Sequence, residues 1–91
     1  MVKAIITFET KDPEGFERAL GGVAPALAGA KGYHGMELRR GVEKPDRFLL
    51  FVDWDAVADH MVWMGVNEKA FLGAIGDYIS APPDIKHYQS V

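Results

Sequence analysis

The run Arg47-Phe48-Leu49-Leu50-Phe51-Val52-Asp53-Trp54 constrains this chain more than any other stretch. In an extended strand, successive side chains point to opposite faces. Phe48, Leu50, Val52 and Trp54 then share one face, and Leu49 and Phe51 share the other. A strand apolar on both sides needs a cover on each face of its sheet. A chain of 91 residues can supply helices for one face and has little left for the second. A second copy of the chain is the expected cover, so a homodimer is the expected assembly. Size points the same way. A domain this short buries only about 60–65% of the surface its unfolded chain exposes, and doubling the core through an interface compensates.

The rest of the chain reads as one domain, residues 1–91, without repeats or linkers. Val2 to Glu9 alternates, with Ala4, Ile6 and Phe8 on one face, and predicts a strand. Asp12-Pro13 is a helix start, an acceptor at the cap followed by a ring at the first helical position. Phe16, Leu20, Val23 and Leu27 recur at helical spacing towards Ala28, with a kink or restart expected near Pro25. Gly32 stops this helix. Tyr33 to Arg40 predicts the second strand, and a turn through Pro45 leads to the third, Arg47 to Trp54. Asp55 is the expected cap of a short helix through about Trp63. Gly65-Val66-Asn67 is expected to interrupt it, and Asn67 to cap a further helix from Glu68 to about Ile79. Pro82-Pro83 precedes a last strand, Asp84 to Val91. The order β-α-β-β-α-β is the split βαβ arrangement of an α+β, ferredoxin-like fold: a four-stranded antiparallel sheet with helices on one face. A second sheet on the free face would complete a dimeric α/β barrel.

Charge and composition narrow the partners. A net charge of −3 argues against nucleic acid and anionic membranes. No stretch approaches the ~20 apolar residues of a membrane span. The chain leads straight into a strand pattern, so no secretory signal is expected. Cysteine is absent, which removes disulfides, thiolate metal sites and Cys nucleophiles and suits a cytoplasmic setting.

The segment from Gly32 to Trp54, GYHGMELRRGVEKPDRFLLFVDW, resembles the antibiotic biosynthesis monooxygenase (ABM) domain family. The likeness lies in a Gly-aromatic-x-Gly lead into the second strand, a Glu-Leu-Arg-Arg run, a Pro-Asp-Arg turn and a third strand closing on Trp. His60, Pro82-Pro83 and His87-Tyr88 continue it. The resemblance implies the dimeric barrel and, among the family's activities, cofactor-free monooxygenation of quinols and polyketide phenols, or haem degradation. In the monooxygenases an Asn and a Trp stand four residues apart on the third strand, with a Tyr six residues after the Trp. Here Trp54 matches the Trp, His60 stands at the Tyr position, and Leu50 replaces the Asn. The haem-degrading branch needs an Asn on the first strand and an axial His in the last helix. Thr7 and the Leu72-Gly73-Ala74 stretch stand there instead, and none of the latter can ligate iron.

Each candidate has a chemical and a structural reading. Trp54 is a pocket wall for a planar ligand or a core residue. His60 is a general base, since an imidazole with pKa near 6.5 suits removal of a phenolic proton at neutral pH. Alternatively it is a helix histidine tied to Asp55 or Asp59. Leu50, Met61, Trp63, Phe71 and His87 are the expected pocket residues, with Met61, Trp63, Met64, Val66 and Phe71 forming an apolar cluster around a glycine. His34, His60 and His87 show no recognised metal-ligand spacing, so no metal is expected. Arg39, Arg40, Lys44 and Arg47 read as a solvated hairpin with acidic neighbours. The resulting expectation is a cofactor-independent monooxygenase of a small aromatic or quinol-like substrate. His60 and Trp54 would be its catalytic residues. The alternatives are a non-oxidative isomerase or cyclase on the same fold, and a non-catalytic dimer that binds a small molecule.

Overall fold

Four strands form one antiparallel sheet in the order β2-β3-β1-β4. A computed structural model describes all residues, 1–91. The strands are β1 (Val2–Glu9), β2 (Tyr33–Arg40), β3 (Arg47–Trp54) and β4 (Asp84–Gln89). Two helices, α1 (Pro13–Val23) and α2 (Val57–Ile75), cover one face, with a short 3-10 turn at Ala24–Leu27 after α1. This is the ferredoxin-like α+β fold. The two strands with the most apolar sequences, β1 and β3, take the centre, where both edges are paired. Their register sets Phe8 opposite Phe48, Ile6 opposite Leu50, Ala4 opposite Val52 and Val2 opposite Trp54.

These pairs form the floor of the core. At one end, Phe16 of α1 inserts between Phe8 and Phe48, with ring centroids 5.0 and 4.9 Å away, and all three are fully buried. At the other end Trp54 is fully buried beside Tyr33, edge to face at 5.9 Å. Between these aromatic ends the two central strands carry Ala4, Ile6, Leu50 and Val52. Smaller side chains in mid-sheet leave room beneath α2.

Helix α1 starts as its sequence dictates. The Asp12 carboxylate accepts a hydrogen bond from the Gly15 amide, and Pro13 begins the first turn. It ends at Val23, and the chain restarts as the 3-10 turn carrying Pro25. Gly15 is buried against Tyr78. A Cβ there would lie 2.5 Å from Tyr78 Cε1 and would also strike the Asp12 carboxylate. The Tyr78 carbonyl accepts from the Thr10 hydroxyl at 2.5 Å and the Lys11 amide at 3.0 Å, so the ring cannot withdraw freely. Gly15→Ala is therefore expected to destabilise the fold by about 1–3 kcal/mol through overpacking, measured as a lower urea midpoint with an unchanged slope. An unchanged midpoint would show that Tyr78 yields.

The second helix departs from expectation. No break occurs at Gly65-Val66-Asn67, and α2 runs unbroken for 19 residues. His60, Trp63, Met64, Asn67, Phe71 and Ile75 form one continuous inward stripe at helical spacing. Gly65 is exposed and costs about 1 kcal/mol relative to Ala, less than packing this stripe returns. Asn67 does not cap a new helix; its side-chain amide donates to the Trp63 carbonyl one turn back, at 3.0 Å. Nor does Asp55 cap α2. The cap is Ala56, without a side-chain hydrogen bond, and the Asp55 carboxylate faces His34 Nε2 at 2.5 Å. The helix ends at Ile75; Ile79 lies beyond it, bridged to Thr10.

Around the β2–β3 hairpin, Arg39 pairs with Glu37, Arg47 with Glu9 at 2.7 Å, and Lys44 with Asp46 at 3.1 Å. The hairpin cations thus have local acidic partners. The open face of the sheet carries Ile5, Thr7, Leu49 and Phe51, each half-buried. No helix of the structure is long and apolar enough to cross a membrane.

Candidate active site

A cavity of about 250 Å³ lies between mid-sheet and α2. Ten of its fourteen lining residues are hydrophobic, so the polar groups it does contain stand out. The sheet contributes Ile6, Leu50, Val52, Trp54 and Ile85. Helix α2 contributes His60, Met64 and Glu68, each one turn from the last, with Trp63, Phe71 and Leu72 beside them. Pro82 and Pro83 close it where the chain turns into β4. Trp63 leans over from α2, edge to face with Phe71 at 6.0 Å, its N–H 3.3 Å from the Ala26 carbonyl.

His60 is the polar centre. It is 2% exposed and stacks on Trp54, with centroids 5.1 Å apart and planes within 14°. Its Nδ1 lies 2.7 Å from Nε2 of His87. His87 sits opposite Ala4 in the register, so it shares the helix-facing side of the sheet, and Ala4 leaves space for the ring. Burial, and then the neighbouring His87, push the His60 pKa down to about 4. Its imidazole is neutral at pH 7, and a lasting positive charge on it is disfavoured. Two buried polar atoms in the molecule lack a hydrogen-bond partner, Glu9 Oε2 and Trp54 Nε1. Lys44 Nζ lies 3.5 Å from the first. The Trp54 N–H has nothing comparable, and an unpaired buried donor costs about 1–3 kcal/mol.

Of the residues singled out in the sequence, Leu50, Trp54, His60, Trp63 and Phe71 come together around the cavity. Met61 does not. It is 47% exposed, because one residue along a helix is a rotation of about 100°; Met64, one turn beyond His60, lines the cavity instead. His87 stands behind His60 and does not line the cavity. His34 is on an exposed edge with Asp55, away from the other two histidines, and no group of three His, Cys, Asp or Glu residues is placed to share a metal ion. Thr7 pairs with Leu49 on the open face of the sheet, opposite to the cavity. Sequence reasoning missed Glu68, although its spacing of eight residues from His60 placed it on the same helical face. It also gave Pro82-Pro83 no place in the cavity wall.

The family profile of the antibiotic biosynthesis monooxygenases matches residues 1–70. The chain belongs to the ABM family. The uncharacterized protein YczJ of Bacillus subtilis (strain 168) is 32% identical over 78 residues, which are 84% of this chain and 82% of YczJ. A Bordetella bronchiseptica crystal structure named for the ABM family superposes with a TM-score of 0.91 at 29% identity, covering 99% of this chain and 96% of that one. SnoaB, a cofactor-independent oxygenase from Streptomyces nogalater, superposes with a TM-score of 0.86 over 99% of this chain and 92% of its own. At 14% identity, the likeness to SnoaB is one of fold. ABM membership thus accounts for the architecture.

Proposed function

We propose that this ABM-family protein is a cofactor-independent monooxygenase of a small phenolic or quinol-like substrate, with His60 as the base. The observation that carries the reading is a neutral, buried imidazole at the wall of an otherwise apolar cavity. The substrate's ring lies against Leu50, Trp63 and Phe71. His60 takes the hydroxyl proton, and the resulting phenolate is a far stronger electron donor than the phenol. It passes one electron to O2; the radical pair collapses to a carbon–oxygen bond, leaving a peroxide anion. That anion is protonated. The hydrogen on the same carbon then leaves as a proton, the O–O bond breaks, and hydroxide departs as water. One oxygen atom ends in the new carbonyl and the other in water, so the substrate's four-electron oxidation balances reduction of O2. Leu50 offers no hydrogen bond where the family resemblance implies an Asn. The Trp54 N–H is sealed and unpaired, so the substrate oxygen is held at His60 alone.

Oxygen uptake by the purified, metal-free protein across quinols, naphthols and anthrones tests this. The expected result is uptake above the spontaneous rate, with one atom of labelled O2 in the product. Substrate conversion without oxygen consumption would replace the oxygenase with an isomerase.

We also propose that the open sheet face is covered by a second copy of the chain. Ile5 stands directly opposite Phe51, and Thr7 opposite Leu49, in mid-sheet. The Lys3–Asp53, Arg47–Glu9 and Lys86–Asp84 pairs surround them. An apolar centre with a charged rim is the anatomy of an interface. Sedimentation at micromolar concentration is expected to give twice the 10.0 kDa chain mass, and Phe51→Lys to give monomers. A wild-type monomer would rule the arrangement out.

A further inference from the structure

The contact between His60 and His87 has the geometry of a conduit. One ring lines the cavity. The other does not, and is only half-buried on edge strand β4. Their nitrogens meet at 2.7 Å with the ring planes 66° apart. A single hydrogen sits between two neutral imidazoles at that distance, and its owner decides what the cavity contains. His60 Nε2 has no hydrogen-bond partner and is not among the sealed, unpaired atoms, so it reaches open space. The open space beside His60 is the cavity.

If His87 owns the shared hydrogen, His60 shows an N–H to the cavity, and the cavity then has no acceptor except Glu68. If His60 owns it, the cavity offers an acceptor, His60 Nε2; the Trp54 N–H is sealed and takes no part. Only the second arrangement can take a hydroxyl proton.

We propose that His60 and His87 form a two-imidazole proton relay, in which His87 is a positioning residue that sets the His60 tautomer and carries charge from the cavity to solvent. This rests on the reading of His60 as the base. As the substrate hydroxyl proton arrives at His60 Nε2, the Nδ1 proton of His60 passes to His87 Nε2, and the Nδ1 proton of His87 leaves to water. Each ring gains one proton and loses one, so no cation persists in the apolar cavity. The need for this is physical. Burial makes a lasting His60 cation costly, and the only ionisable neighbour that shifts His60 is His87. No carboxylate is hydrogen-bonded to either ring, and Asp55 is paired with His34. After the transfer His60 carries its hydrogen on Nε2 and faces the cavity as a donor. It can then protonate the peroxide anion, and the relay runs in reverse to its starting state.

Nitrogen-15 NMR of the free protein at pH 7.5 reads the tautomers directly, without a substrate. The expected result is hydrogen on Nδ1 of both rings, with a coupling across the His60–His87 bond. In His87→Phe, which has no acceptor, His60 is expected to redistribute between tautomers. Turnover should fall roughly 10–100-fold, as when an orienting partner of a functional histidine is lost, and added imidazole should restore part of it. Hydrogen on His60 Nε2 in the wild type, or full turnover in His87→Phe, would overturn the relay and leave the oxygenase reading standing. The expected tautomers in a protein that oxidises nothing on the panel would do the reverse.

Discussion

Replacing His60 by Gln is expected to lower enzyme-dependent oxygen uptake by roughly 10²–10⁴-fold, the usual worth of a positioned general base. Glutamine keeps a hydrogen-bonding group near His87 and most of the side-chain volume, but it cannot take a proton. The loss should fall on kcat, because Leu50, Trp63 and Phe71 still form the apolar walls. Trp54→Phe provides the contrast. It retains a ring to stack on His60 and removes the sealed, unpaired N–H together with the rest of the larger indole. No proton-carrying group is lost, so a fall of about 5–10-fold is expected from looser packing around the base. Equal losses in both variants would point to collapse of the cavity in place of lost chemistry, and circular dichroism of each would show it.

Acid is expected to destabilise this protein well before its carboxylates titrate. In the unfolded chain His60 is an ordinary imidazole near 6.5; in the folded protein its pKa is about 4. Between these values the unfolded state binds a proton that the folded state refuses. Stability is therefore full above pH 6.5 and falls as the pH drops towards 4, where folded His60 begins to titrate too. The loss is about 3 kcal/mol, from 1.36 kcal/mol for each pH unit of difference. For a domain of this size that corresponds to a fall in Tm of roughly 12–24 °C. Thermal scans of wild type and His60→Gln from pH 7.5 to 4 separate this from other titrations, since the variant should lose most of the slope. Parallel curves for the two proteins would remove His60 as the cause.

These two expectations have one origin. A histidine enclosed by Trp54, α2 and β4 without a carboxylate is destabilising in acid and useful as a neutral proton acceptor. The fold tolerates it because His87 satisfies one nitrogen and the cavity leaves the other open.

Much of the architecture was legible in the residues. Alternation in β1 and β3, the Asp12-Pro13 start of α1 and the restart at Pro25 are local signals, and each has a local cause in backbone geometry. The unbroken α2 was legible too, in the phase of His60, Met64, Phe71 and Ile75. It was masked by reading Gly65 and Asn67 as stops, when a glycine is a modest penalty that packing of a long stripe outweighs. Asp55 was misread for a related reason: a side chain that can cap a helix can equally pair with a histidine, and His34 arrives from a strand 21 residues away.

The sequence by itself determined where the strands lie along the chain, which face of each is apolar, and which residues could carry proton chemistry. Periodicity and side-chain type are properties of neighbouring residues, so no tertiary contact is needed to read them. Only the tertiary structure decided which of those residues meet. His60 and His87 are 27 positions apart, and nothing local couples a helix residue to an edge strand. The sheet order puts β4 beside β1, Ala4 leaves a gap, and α2 lowers His60 into it. The same closure buries the Trp54 N–H without a partner and turns Met61 outward. Burial is set by what the rest of the chain brings to a residue, and burial is what converts an ordinary histidine into one that stays neutral to about pH 4.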